Sequence, residues 1–213
     1  MDFVLDPVET RVLGSLIEKE TTTPEYYPLT LNALVNACNQ KSNRDPVVAW
    51  DEDTVAEAID RLRDHRLVGV LTGGSNRVPK YSQRLSERLN LGRRETALLC
   101  ELMVRGPQTP GELRDRASRM HRFSDLEEVE ACLRGLAEFE GGPLVVQLPR
   151  QPGRKEARYA QLLSGEPAIV AGPADAEPVR SPSALEGRVA ALESEVVALR
   201  GQLERMMREL GVE

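Results

Sequence analysis

An internal repeat limits the possible folds more than any other feature of this chain. Leu5-Asp6-Pro7-Val8-Glu9-Thr10 answers to Leu91-Gly92-Arg93-Arg94-Glu95-Thr96, and Leu13 and Leu16 answer to Leu99 and Leu102. Thr30 and Leu34 answer to Thr109 and Leu113. Val55, Ile59 and Leu62 answer to Val129, Leu133 and Leu136. Lys80-Tyr81-Ser82-Gln83 answers to Arg158-Tyr159-Ala160-Gln161. The offsets are 86, 79, 74 and 78, and they change only inside loops. Blocks that match in one order, with drift confined to loops, mark a tandem duplication.

Local signals say what the repeated unit is. Asp6-Pro7-Val8-Glu9 starts a helix with a capping box and Pro at N1. Val12, Leu13, Leu16 and Ile17 form its apolar stripe. A short helix follows from Leu31 to Cys38, then the polar loop Asn39-Gln40-Lys41-Ser42-Asn43-Arg44-Asp45-Pro46, then a longer helix from Asp51 to Arg66. Asp51 is its N-cap, and Trp50 is placed to staple onto Val55. Leu67 to Leu71, the turn Gly73-Gly74-Ser75-Asn76, and Val78 to Leu85 read as a β-hairpin. In the second copy, Thr109-Pro110-Gly111-Glu112 and Ser124-Asp125-Leu126-Glu127 read as capping boxes. Gly141-Gly142-Pro143 reads as a helix stop. Leu144–Leu148 and Arg158–Leu163 read as strands joined by the basic loop Arg150 to Lys155. Helices followed by a hairpin are the order of a winged helix-turn-helix. The expected fold is therefore mainly α with small β wings (α+β). It comprises two tandem winged helix-turn-helix domains, 1–88 and 89–165, followed by a C-terminal coiled-coil helix.

A Pro-, Ala- and Gly-rich linker, 166–183, precedes that coil, 184–211. In the coil, Leu185, Val189, Leu192, Val196, Leu199, Leu203, Met206 and Leu210 keep a 4-3 spacing. Such heptads predict a parallel homodimer, with Arg188 facing Glu193 and Glu195 facing Arg200 of the partner. The alternative is an amphipathic helix that folds back on its own wings.

Composition excludes several classes. No apolar run approaches a membrane span, and the acidic N-terminus lacks a secretory n-region. Cys38, Cys100 and Cys132 are odd in number and far apart, which points to reduced, buried thiols in a cytoplasmic protein. No nucleotide, hydrolase or zinc motif occurs, and His65 and His121 stand alone, so no enzyme activity, metal or cofactor is expected. Net charge is −6, unevenly spread: −3 over 1–86, +1 over 87–165 and −4 over 166–213.

The run Tyr27-Pro28-Leu29-Thr30 through Cys38 to Val47 resembles the YceH-like family of uncharacterised bacterial proteins. Arg77-Val78-Pro79-Lys80-Tyr81, Arg158-Tyr159 and Leu162-Leu163-Ser164-Gly165 are similar to its other recurrent blocks. The resemblance implies paired winged-helix domains and carries no catalytic residue.

Two readings of function follow. The first is a dimeric, DNA-binding, transcription-regulator-like protein. Its phosphate or base contacts would come from Asn39, Gln40, Lys41, Asn43, Arg44, Arg61, Arg77, Lys80, Arg119, Arg122, Arg150, Arg154 and Lys155. The second is a protein–protein adaptor. The longer helix carries Glu52, Asp53, Glu57, Asp60 and Asp64, and its counterpart carries Asp125, Glu127, Glu128 and Glu130. Such faces suit a basic protein better than a groove lined by phosphates. The coil is tested by truncation: a chain ending at Gly165 should scatter light as a monomer, and one that stays dimeric removes the coil reading.

Overall fold

The computed structural model describes residues 3–73, 76–150, 153 and 156–167, without the side chains of Asn76 and Arg77. The chain divides into two compact units, 1–169 and 170–213, and the described residues fall within the first. The predicted coil, Leu185 to Leu210, lies outside the described residues, as do the side chains of Arg77, Arg154 and Lys155. The described residues form an α+β fold with small antiparallel sheets. No described helix is long and apolar enough to cross a membrane.

Helix α1 (Pro7–Thr22) starts where its caps predict: Asp6 accepts from the Glu9 amide, and Glu9 accepts from the Asp6 amide. A single 3-10 turn (Pro24–Tyr26) leads to β1 (Leu29–Thr30) and α2 (Leu31–Cys38), which Thr30 caps. Helix α3 (Glu52–Asp64) is capped by Asp51 and buries Val55, Ala58, Ile59 and Leu62. Strands β2 (Val68–Gly73) and β3 (Asn76–Gln83) make the hairpin. β1 joins on the far side of β3, giving the order β1-β3-β2. A short α4 (Leu85–Arg88) leads to α5 (Arg93–Arg105), α6 (Pro110–Ala117), α7 (Leu126–Ala137), β4 (Val145–Gln147) and β5 (Tyr159–Gln161).

Hydrogen bonding repeats along with the sequence. Gln108 bridges β5 on the side away from β4, the place β1 takes beside β3. Gln83 and Ser86 exchange two bonds of 2.8 and 3.2 Å, and Gln161 and Ser164 exchange the same two at 2.9 and 3.1 Å. The expected boundaries shift in two places. The α7 cap is Asp125, which accepts from the Glu128 amide, rather than Ser124; Ser124 instead donates its own amide to Glu128. The same helix ends at Ala137, before the glycines, because Leu144 turns back to bond Leu136.

One core runs through both halves. Its centre is the packing of α1 on α5. Helix α1 is buried from Glu9 through Glu18 without a break, and α5 from Ala97 through Val104. A helix buried on all sides has two partners; α1 also packs on α3. The helices come closest at Gly14, where the Cys100 thiol donates to the Gly14 carbonyl at 3.3 Å. A Cβ at Gly14 would stand 2.8 Å from Val104 Cγ1 and 3.1 Å from Met103 Cβ. Gly14 and Cys100 are equivalent positions of the repeat, so the crossing point falls on one residue of each copy. Gly14→Val should therefore cost about 1–3 kcal/mol by overpacking, read as a lower urea midpoint; an unchanged midpoint would contradict this crossing.

Candidate functional site

Loop 39–46 is tied down through Asn39, Asn43, Arg44 and its own backbone. Asn39 closes it like a clamp: its amide nitrogen donates to the Trp50 carbonyl at 2.7 Å, and its oxygen accepts from the Trp50 amide at 3.0 Å. From α1, Arg11 reaches under it to the carbonyls of Cys38, at 3.2 Å, and Pro46, at 2.7 Å. The Asp45 amide donates to the Val104 carbonyl of α5 at 3.0 Å, and Arg105 of α5 donates to the Asn43 side chain. The loop is therefore an attachment between the two halves. Lys41 and Ser42 stay exposed at its tip.

Arg44, expected at the surface as a phosphate contact, is buried with no exposed side-chain area. Its guanidinium donates to both carboxylate oxygens of Glu18 and to the carbonyls of Ala37 and Asn43. Arg119, its expected partner cation in the second copy, turns inward to the same place. It pairs with Glu18 and, at 2.8 Å, with Glu101. Arg105 faces Glu101 at 3.1 Å, as an ion pair short of hydrogen-bond geometry. Glu18 and Glu101 expose none of their side chains. Burial pushes the Glu18 carboxyl up, but the Arg44 hydrogen bond and the charges of Arg44, Arg119 and Lys19 outweigh it, leaving the group below the usual carboxylate range. Burial alone would lower Arg119; Glu101 and Glu18 raise it instead.

The remaining candidates are scattered. Arg61 lies on α3 but turns back to α1, pairing with Asp6 and Glu9 at 2.9 Å each. Lys80 is half-buried in β3, while Arg122 and Arg150 are exposed. Tyr81 and Tyr159 pack, partly buried, against the core from β3 and β5. All three cysteines are free and buried, and burial pushes the Cys38 thiol up to about 11 and the Cys132 thiol up to about 12. Among the described residues no group of side chains is arranged to hold a metal ion.

The outward face of α3 is acidic. Glu52, Asp53, Glu57, Asp60 and Asp64 are all exposed; on the same helix Arg63 pairs with Asp60 at 2.8 Å and the half-exposed Arg61 lies 3.9 Å from Glu57. On α7, Asp125 and Glu127 are exposed, with Glu128 and Glu130 partly so.

A family profile described as "Protein of unknown function, DUF480" matches residues 5–154. The chain belongs to this family. It is 54% identical over 208 residues to a UPF0502 protein of Solibacter usitatus, covering 98% of each chain. It is 55% identical over 202 residues to a UPF0502 protein of Geobacter sulfurreducens, covering 93% of this chain and 91% of the relative. A UPF0502 protein of Opitutus terrae is 52% identical over 197 residues, covering 92% and 84%. In this DUF480 member, the stretch that carried the resemblance, 27–47, is the attachment loop with its flanking helix.

Sequence reasoning missed Arg11, Glu18, Glu101 and Arg105. A signal existed: Gly14 and Ser15 are small residues inside an otherwise strong helix, the mark of a close neighbour on that face.

Removing one partner of a buried pair strands the other charge, so Arg44→Ala should cost about 3–5 kcal/mol in urea unfolding. The pH dependence has a definite sign. Below the ordinary Glu range the unfolded chain binds the proton that folded Glu18 refuses. Stability is therefore full above that range and falls as pH drops through the depressed folded value. Glu18→Gln should flatten this acid arm of the stability profile, and an unchanged arm would show that the pair contributes nothing.

Proposed function

We propose that each half is a winged helix, the first with α3 and the second with α7 as its outward helix, and that the protein binds a basic protein partner rather than DNA. The observation that carries this is the face of α3. Five exposed carboxylates stand where a DNA-reading helix needs donors and cations, and they would meet the phosphates lining a groove. Of the cations expected to offset them, Arg44 and Arg119 are engaged with Glu18, and Arg61 is shared among Asp6, Glu9 and Glu57. The coil would present two such modules side by side. The winged-helix reading is supported by the strand order β1-β3-β2 and by its repetition around β5.

One observation favours the DNA reading. Lys41, at the loop tip, and Arg122 and Arg150 in the second half are exposed. The two readings separate in one titration. Full-length protein is mixed with a lysine- and arginine-rich peptide or with duplex DNA, and anisotropy is followed from about 50 to 200 mM salt. The peptide should bind and DNA should not. Neutralising α3 with Glu57→Gln, Asp60→Asn and Asp64→Asn should weaken the peptide about tenfold. Duplex binding that Lys41→Ala reduces would reverse the assignment.

A further inference from the structure

The two copies differ at one place in a way that opens a site. In the first half, Arg61 on α3 crosses to the start of α1, where its guanidinium holds Asp6 and Glu9, each at 2.9 Å. Glu9 is almost wholly buried beneath it. The repeat maps Asp6 onto Gly92, Glu9 onto Glu95 and Arg61 onto Gly135. The second half thus has the matching glutamate, there only partly buried, but neither the arginine nor the capping aspartate. Among the described residues Glu95 has no ion-pair partner. In its place lies an open groove of about 800 Å³ between the start of α5 and α7. Gly92, Glu95, Ala131, Cys132, Gly135 and Phe139 are among its walls. A Cβ at Gly135 would touch nothing within 4 Å.

We propose that this groove is a seat for an arginine side chain of the protein partner, whose guanidinium takes the place beside Glu95 that Arg61 takes beside Glu9. The internal twin supplies the chemistry. The same carboxylate, at the same helix start, binds a guanidinium arriving from the neighbouring helix position. A planar fork matches a carboxylate in a way an ammonium does not. Ala131 and Phe139 offer apolar surface to the three-carbon stem. Gly135 also costs α7 helix propensity, about 1 kcal/mol relative to Ala, and the empty seat accounts for its presence. Arg93, Arg94, His121 and Glu128 also line the groove, and there Arg94 and His121 lie at 3.5 and 3.8 Å from Glu128 rather than against Glu95.

This inference rests on the basic-partner reading, and its test separates the two. Isotope-labelled full-length protein is titrated with a short lysine-rich peptide carrying one central arginine, and with the same peptide carrying lysine there. The arginine peptide should bind about tenfold tighter and shift the Glu95 and Cys132 resonances. Gly135→Ala should keep that preference. Gly135→Arg, which refills the seat from within, and Glu95→Gln should both abolish it, leaving the arginine peptide no tighter than its lysine twin. Gly135→Arg should also melt higher than Gly135→Ala, because it rebuilds the first half's bridge. If Gly135→Arg keeps the arginine preference, or the two peptides bind alike, the seat is overturned while the acidic-face reading stands. If neither peptide binds, both fall.

Discussion

Glu18 and Glu101 have no exposed side-chain surface, and Arg119 of the second half bridges the two. Glu18, on α1, takes Arg44 from its own half and Arg119 from the other; Glu101, on α5, takes Arg119 and Arg105. A buried carboxylate without a partner costs several kcal/mol, so an arrangement that slid α1 along α5 would strand charge in the core. Apolar contacts between the same helices would tolerate such a slip far better. The cluster therefore fixes one register for the two halves more than it adds stability. The loop inherits that register, since Asn43 and Asp45 are held by Arg105 and Val104 of the same α5.

What was legible in the sequence was whatever depends on neighbours along the chain. The capping boxes at Asp6 and Thr109 are where their residues place them, and the Asp51 cap starts α3. The apolar stripe of α3 predicted its buried residues. Reading failed where a second partner decided burial. The stripe Val12, Leu13, Leu16 and Ile17 implied a helix with one buried face, but α5 covers the other, and Arg11, Ser15 and Glu18 are buried with it. Arg44 was assigned to solvent because a lone arginine in a polar loop usually lies there. Its partner Glu18 stands 26 positions away, at the far end of another helix, and only the crossing of α1 and α5 brings a second arginine to it.

The duplication makes the protein its own reference. Helix α1 begins with Asp6 and Glu9, acids that suit the positive end of a helix. Helix α5 begins with Gly92, Arg93 and Arg94, a start that lacks the side-chain cap and places cations against the same dipole. Gly92 and Gly135 stand at the positions that match Asp6 and Arg61, which meet only in space. With both absent, the groove lies over Glu95, a carboxylate with no ion-pair partner among the described residues. The glutamine–serine exchange after each hairpin, by contrast, is present in both halves.

The acidity of α3 is not a remainder left by arginines that turned inward. Burial removes both signs: Glu9, Glu18 and Glu101 are buried, as are Arg11 and Arg44. The surface charge is therefore close to what the sequence places there, and α3 places five carboxylates on one outward face. Its two arginines leave that face with an excess of carboxylates, since Arg61 is shared between α1 and Glu57 and Arg63 pairs with Asp60. A helix in this position could read base edges only after those pairs broke and the carboxylates were neutralised. A cationic protein surface requires neither step, so the proposed choice between the two kinds of partner rests on electrostatics and not on topology.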